Sequence, residues 1–535
     1  CRSNDVCCID GRIVKIRQYG RSVHPKYTAY ANEFAQLMGP KGSLMPVDIG
    51  EVINSASSAQ RVKYERASWF PFSEEHWHNK AFQKTEGYQE IKEPRNISAV
   101  DTNHVVNYLR FVNAVTQHMG ETCPWYAFKL NPVQVANRVN TVCELSGGMA
   151  IETDFSRFDG TQDDFHNTVE GIILFHLFDT CCHAELRALR NALNFSVFKT
   201  EYGIRYNTWC TRKSGSADTS LGNTLLNAYM CYCALRQTGL EPDEAWRKLG
   251  VYGGDDGVTA HVPPALLEHV CRDLGFKLKA TVRRSGDAVT FLGRIFPNPW
   301  DNNGSFIDPL RALSKLHFTS DSDPCTSNET LAWRKAVSLY VTDPGNFVGN
   351  IAKHLLDISV SGRTEAVERR PWMRDVLPEN TKMTTAEIVE RFQDKPVFPP
   401  VPDDVGVENQ PDHALLYFAN QTQLPLPTIA EWFVRFLSAQ SLKDIPTLYR
   451  VETPSNAPVC TSVDGVVVGP RMGPAPSPPP DMKPYCRHHI QRRCTRGEKC
   501  KYSHAQDACR DHLRGKCAYA DKCKFVHYAL SPKGQ

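Results

Sequence analysis

Two adjacent acids set among glycines, Gly253-Gly254-Asp255-Asp256-Gly257, are the residues of this chain best suited to chemistry. The runs on either side, 248–252 and 258–262, are β-prone, so the acids are expected at the tip of a hairpin. Neighbouring carboxylates repel, and a hard divalent cation such as Mg²⁺ or Mn²⁺ would offset that cost while leaving coordination room for phosphate oxygens. A solvated Asp-Gly turn satisfies the same local pattern, so the acids gain meaning only from their company upstream.

That company begins at Met149-Ala150-Ile151-Glu152-Thr153-Asp154-Phe155, a strand whose alternation puts Asp154 with Glu152 and Ser156 on one face and Ile151, Thr153 and Phe155 on the other. Asp154 thus sits near a strand end, where ligands meet sheets. Asp159 follows, on the approach to a helix expected over 164–178; a plain helix N-terminal acid would also read this way. Ser214-Gly215-Ser216-Ala217-Asp218 is a small-residue loop into a helix over 219–236, on which Thr219, Asn223 and Asn227 share one face opposite Leu221, Leu225, Tyr229 and Tyr232. A polar ridge on such a helix needs partners or a cavity to line. Between 82 and 97, Lys84, Lys92 and Arg95 recur among extended-type residues, and a hairpin there would line one groove wall with cations suited to a triphosphate. An ordinary charged hairpin is the alternative.

The elements that must position these residues fit a chain of 535 residues with 41% hydrophobic composition, enough for more than one domain or one large enzyme fold with an appendage. The sequence has no apolar run near the length needed to span a bilayer, so any membrane attachment is expected to be indirect. The chain starts at Cys1 without a signal peptide, which fits an incomplete reading frame or a product cut from a longer precursor. Helices are expected over 26–38 and 264–274, strands or tight hairpins at 276–279 and 289–296, and mainly helices over 330–370, 384–392 and 429–437, with a Pro- and Asp-rich loop at 394–411. Residues 451–484 hold nine prolines and read as a semi-rigid tether.

The net charge of +3 hides an asymmetry: from Asp481 onward thirteen Lys and Arg face five Asp and Glu, so the tail carries +8 and the rest −5. Six of the 19 cysteines fall in this tail, in the repeated spacing Cys486, Cys494, Cys500, His504 and Cys509, Cys517, Cys523, His527. Three thiolates and one imidazole make a closed tetrahedral Zn²⁺ site, and segments this short cannot build a core without metal. This usage indicates a reducing compartment rather than a disulfide framework. Tyr502 and Phe525 lie between the third cysteine and the histidine of each copy, where a base could stack. A structural zinc knob or protein-binding module is the alternative.

In order and spacing, these pieces over roughly 80–300 resemble the motifs of RNA-dependent RNA polymerases of positive-strand RNA viruses, and the wording Ser-Gly-Ser-Ala-Asp-Thr-Ser and Gly-Gly-Asp-Asp-Gly is similar to the nodavirus and tombusvirus-like branches. The resemblance implies an α+β right-hand fold with an antiparallel palm sheet: fingers and palm over 1–300, a mainly helical thumb over 301–450, the tether over 451–484, and two zinc fingers over 485–535 similar to the CCCH family, whose members commonly bind single-stranded RNA. It implies Asp154, Asp255 and Asp256 as catalytic ligands of two Mg²⁺ or Mn²⁺ ions. Lys84, Lys92 and Arg95 correspond to the basic fingers motif. Asp159 matches the sensor of the ribose 2′-hydroxyl, Ser214 and Gly215 the loop touching template and nucleotide, and Asn223, with Thr219 on its face, the partner in sugar selection. Lys277 or Lys279 matches a lysine proposed to protonate the leaving pyrophosphate, and Phe291–Phe296 a primer-grip-like hairpin. The implied partners are RNA template and product, NTPs and other replication proteins, in the host-cell cytoplasm or in replication complexes that reach membranes through those partners. A non-catalytic RNA-binding scaffold descended from a polymerase is the competing class, and a reverse transcriptase the enzymatic rival that Asp159 and Asn223 disfavour.

Overall fold

The computed structural model of the chain describes residues 2–16, 21–56, 58–69, 78–84, 93–194, 196–316, 326–359, 412–446, 448, 461–463 and 466–468. They belong to two compact units, one comprising 1–8, 88–94 and 451–535, the other 9–87 and 95–450. In the first, strands Thr461–Val463 and Val466–Val468 pair antiparallel. Lys92, the zinc-ligand candidates Cys486, Cys494, Cys500, His504, Cys509, Cys517, Cys523 and His527, and the stacking candidates Tyr502 and Phe525 lie outside the described residues.

The second unit carries helix α1 (Pro25–Met38), strands β1 (Lys80–Gln83) and β2 (Asn96–Ala99), helices α2 (Thr102–Thr122) and α3 (Pro132–Glu144), and strand β3 (Met149–Phe155). Helices α4 (Asp164–Leu177) and α5 (His183–Asn194), strands β4 (Val197–Thr200) and β5 (Arg205–Asn207), and helix α6 (Thr219–Gln237) follow. Then come β6 (Val251–Gly253), β7 (Asp256–Thr259), α7 (Pro264–Asp273), β8 (Leu278–Arg284), β9 (Val289–Phe291), β10 (Arg294–Phe296) and β11 (Phe306–Ile307). Helices α8 (Pro309–Ser314), α9 (Asn328–Thr342), α10 (Phe347–Ile358), α11 (His413–Thr422) and α12 (Leu426–Leu437) complete it.

The central sheet runs β6-β7-β3-β8, antiparallel throughout. Its pleat separates two kinds of residue. Ile151, Phe155 and Tyr252 turn toward the main core, while Ala150, Val251 and Val258 join a smaller core with Val135 and Val139 of α3 and Phe291 and Phe296 of the β9–β10 hairpin. Register puts Glu152, Asp154 and Asp256 on the second face, beyond the end of that apolar cover. The acids therefore stand where packing stops.

Helix α6 departs from the amphipathic expectation. Every residue from Leu221 to Leu235 is buried, because α1, α4, α7 and the sheet pack around it. Phe34 of α1 meets Tyr229 and Tyr232 edge-on, with ring centroids 6.0 and 5.4 Å apart. Burying side chains of this size stabilises a fold by about 1.5–3 kcal/mol each, which fixes the helix that carries Asn223 and Asn227. Helix α4 starts at a capping box in which Asp163 accepts from the backbone N–H groups of Phe165 and His166 and His166 accepts from that of Asp163.

Over the described part of the mainly helical stretch 330–370 stand two helices, α9 and α10, separated at Asp343-Pro344-Gly345. Pro344 supplies no N–H for a helical ladder, and the backbone of Asp343 and Pro344 lies so close to Gly349 that a side chain there would collide. The Asp343 carboxylate, freed at the break, forms a buried pair with Arg294 of β10 at 2.9 Å and accepts from the Ile307 N–H at 3.1 Å. Hairpin β9–β10 is thereby tied to the C-terminal helical layer.

Candidate active site

The acidic hairpin is a two-residue turn: Gly253 pairs with Asp256, leaving Gly254 and Asp255 at the tip. Gly254 sits at φ +71°, a conformation costly for any residue with a Cβ, which explains the glycine before the acids. Helix α6 clamps the turn from below. The Asn227 amide donates to the carbonyl oxygens of Gly254, Asp255 and Asp256 at 3.2, 3.1 and 3.1 Å, and the Gly254 N–H donates to Thr224 Oγ1 at 2.8 Å. Of the three-residue polar ridge read from sequence, Asn227 is therefore a scaffold for the turn, and Thr224 joins it there although a four-residue spacing misses it.

Thr153 pairs with Gly257, so the next step along the ladder sets Asp154 opposite Asp256. On its other side Asp154 pairs with Lys279 of β8, while the Ser156 N–H donates to the Lys277 carbonyl at 3.0 Å. Asp154, Asp255 and Asp256 are all exposed at this strand end, as are Lys277 and Lys279. Glu152 is not free to join them: it pairs with Arg283 at 3.0 Å and accepts from the Thr290 N–H.

Crowding by surrounding protein, then the charges of Asp255 and Asp154, push the Asp256 carboxyl up to about 6, while Arg311 acts in the opposite direction. Three hard oxygen donors repelling one another suit a divalent cation, although among the described residues no group of three His, Cys, Asp or Glu side chains is already gathered closely enough to hold one. The carboxylates would have to close around the ion.

Beside the acids lies a second cluster. Asp159 accepts from the Asn223 amide at 2.8 Å, and its carbonyl accepts from the Arg212 N–H at 3.0 Å. Burial pushes Asp159 up; the Asn223 bond and the charges of Arg212 and Arg95 pull it down without cancelling that, and Asp255 adds to the rise. The Arg212 guanidinium pairs with Glu170 and, at 2.8 Å, with Asp218, whose other neighbours include Tyr108. Burial would raise Asp218, but Arg212 and its fellow cations hold it below the usual range. Burial also pushes Lys213 down to about 7, its ammonium donating to the Trp209 carbonyl at 2.7 Å.

The remaining sequence-predicted residues are distributed as follows. Lys84 and Arg95 face each other at the open end of β1–β2, where the Lys84 N–H donates to the Arg95 carbonyl at 2.8 Å. The Ser214 hydroxyl donates to the Asn96 carbonyl and accepts from the Ser98 N–H, and the Gly215 N–H donates to Ser98, so the loop is laced to β2. Thr219 turns inward, donating to the carbonyls of Lys213 and Ser216. The sequence alone singles out neither Arg212, Gln162 nor Glu170, and it marks Asp218 only as the end of the Ser-Gly loop. Arg212 had one signal, a cation two residues before the Ser-Gly loop; the others meet it only through folding.

Residues 130–336 match the family described as RNA dependent RNA polymerase. The chain is 34% identical over 354 residues to the RNA-directed RNA polymerase of striped jack nervous necrosis virus, covering 64% of this chain and 35% of the relative. It is 32% identical over 381 residues to the RNA-directed RNA polymerase of Pariacoto virus, covering 68% and 38%. The chain thus spans about a third of the length of the curated relatives it matches. The fold is similar to that of the RNA-dependent RNA polymerase of a human picorbirnavirus, with TM-score 0.53 at 15% identity over 68% of this chain and 76% of that one. The matched region holds Asp154, Asp159, Asn223, Asp255, Asp256 and hairpin β9–β10. Among the described residues no helix is long and apolar enough to cross a membrane.

Proposed function

We propose that this chain catalyses template-directed RNA synthesis for viral replication, with fingers, palm and thumb arranged as in a right-hand polymerase. The observation that carries the reading is the register: one strand end presents Asp154 against the Asp255-Asp256 turn, with the Asp159–Asn223 pair alongside. In the reaction a 3′-hydroxyl attacks the α-phosphate of an NTP, one P–O bond forms, and the bond to pyrophosphate breaks. Mg²⁺ or Mn²⁺ held by Asp154 and Asp255, with Asp256 in support, would neutralise charge on the attacking and leaving oxygens. Lys84, Arg95 and Lys92 bind the triphosphate. Asp159 and Asn223 read the 2′-hydroxyl, because a sugar lacking it leaves their hydrogen bonds unmet. Lys279, opposite Asp154, gives a proton to the departing pyrophosphate; Lys277, one pleat further along, is the second candidate.

The tail is proposed to fold around two Zn²⁺ ions and to bind single-stranded RNA through Tyr502 and Phe525, and the enzyme to work in the host-cell cytoplasm with other replication proteins. The test compares incorporation of labelled NTP on a short RNA template by the full chain and by a chain ending at Thr453. Activity in both makes the tail an accessory, and activity in the full chain alone makes it part of the working enzyme. Activity in neither, with RNA binding intact, supports the scaffold reading.

A further inference from the structure

The Asn223 side chain is held by more than its contact with Asp159. Its Oδ1 accepts from Gln162 Nε2 at 2.9 Å and from Arg212 Nε at 3.2 Å, while its Nδ2 donates to Asp159 Oδ1 at 2.8 Å. An amide has one acceptor end and one donor end, and a guanidinium can only donate. Arg212 therefore dictates that the oxygen of Asn223 faces it, and the amino group must then face Asp159. Gln162, 3% exposed, supplies the second donor that makes the opposite orientation unfavourable.

Arg212 is itself immobilised. Glu170 and Asp218 take its two amino groups, and the guanidinium lies against Gly222, where an added Cβ would come within 2.7 Å of the Glu170 carboxylate and closer still to Arg212. The residue beside Asn223 is glycine so that this cation can lie flat on the helix. The chain of contacts runs from Gly222 through Arg212 and Gln162 to Asn223 and ends at Asp159, where no described residue donates to Oδ2.

Resting on the nucleotide-binding reading of Asp159 and Asn223, we propose that Gln162 and Arg212 are positioning residues for ribose recognition: they lock the Asn223 amide so that Asp159 keeps one carboxylate oxygen for the 2′-hydroxyl. Neither residue touches the nucleotide. Their effect is on which sugar is accepted rather than on the rate of phosphoryl chemistry.

The test uses the full chain and measures kcat/KM for CTP and dCTP on one RNA template in wild type, Gln162→Met and Gln162→Glu. Methionine keeps the volume and removes the donor, so the CTP to dCTP ratio should fall about tenfold, the worth of one hydrogen bond, with kcat for CTP nearly unchanged. Glutamate presents an acceptor to Asn223 Oδ1 and favours the flipped amide, which sets that oxygen against Asp159; the ratio should fall further than with methionine. Gln162→Asn, a shorter donor, should retain more discrimination than methionine. A merely structural role would lower activity with both sugars together and leave the ratio alone, and that result in active variants overturns the proposal. If glutamate lowers the melting temperature below that of the assay, the methionine and asparagine variants decide. A wild type that polymerises without preferring ribonucleotides, or does not polymerise, removes the reading on which the proposal rests, an outcome distinct from unchanged ratios in active variants.

Discussion

Asn227 offers the sharpest test of how the acidic turn is held. It is 2% exposed, and its amide is shared among three carbonyl oxygens of residues 254–256. Asn227→Leu keeps the volume but removes the donors, losing a hydrogen bond worth about 1 kcal/mol and leaving buried acceptors that cost about 1–3 kcal/mol. Thr224 still holds the Gly254 N–H, so the turn should shift rather than unfold. A displacement of about 1 Å at reacting groups can cost about 10²-fold in rate. Single-nucleotide incorporation at saturating NTP should therefore fall about a hundredfold, while thermal melting drops by only a few degrees. Thr224→Val, which removes the other contact, should cost about tenfold, and the double variant should not be additive because both act on one turn. Incorporation within twofold of wild type in Asn227→Leu, alongside a lowered melting temperature, would show that the amide supports the helix and not the acids.

Three further expectations follow from the same geometry. The Asp256 carboxyl, raised from 3.8 to about 6, favours the metal-free fold most below pH 4, and this contribution is lost as pH rises through 6. Metal-free melting temperature should carry that component in wild type and lack it in Asp256→Asn, while Mg²⁺ affinity should rise through pH 6 and level above it. Arg294→Met strands the buried Asp343 charge and should cost about 3–5 kcal/mol in urea unfolding, with much of it recovered in Arg294→Met/Asp343→Leu. Lys279→Leu should slow nucleotide transfer by about 10²-fold or more with a change in its pH profile, whereas Lys277→Leu should leave both near wild type.

The local pieces of the site were legible because each has a local cause. Alternation placed Asp154 and Glu152 on one face, glycine at 254 marked the turn, and apolar spacing marked α6. Relations across the chain were not legible. Nothing in the run 277–279 says which lysine faces Asp154; strand pairing decides it. Ser214 and Thr219 carry hydroxyls that look available to a ligand, yet backbone carbonyls at 96, 213 and 216 take them once β2 and the loop are brought together. The ion pairs of Arg212 join residues 42 and 6 positions apart, so its role emerges only when α4 packs beside α6. Pro344 marks the division between α9 and α10 locally, whereas the Arg294 partner that Asp343 finds 49 residues away is set only by folding.

The most direct measurement is incorporation of labelled NTP on an RNA template by the full chain and by Asp255→Ala, in Mg²⁺ and in Mn²⁺, with RNA binding measured in parallel. Synthesis by wild type, its loss in Asp255→Ala, and RNA affinity unchanged between the two are the predicted results. Nucleotide incorporation retained in Asp255→Ala would contradict the assignment of the acidic turn as the catalytic centre.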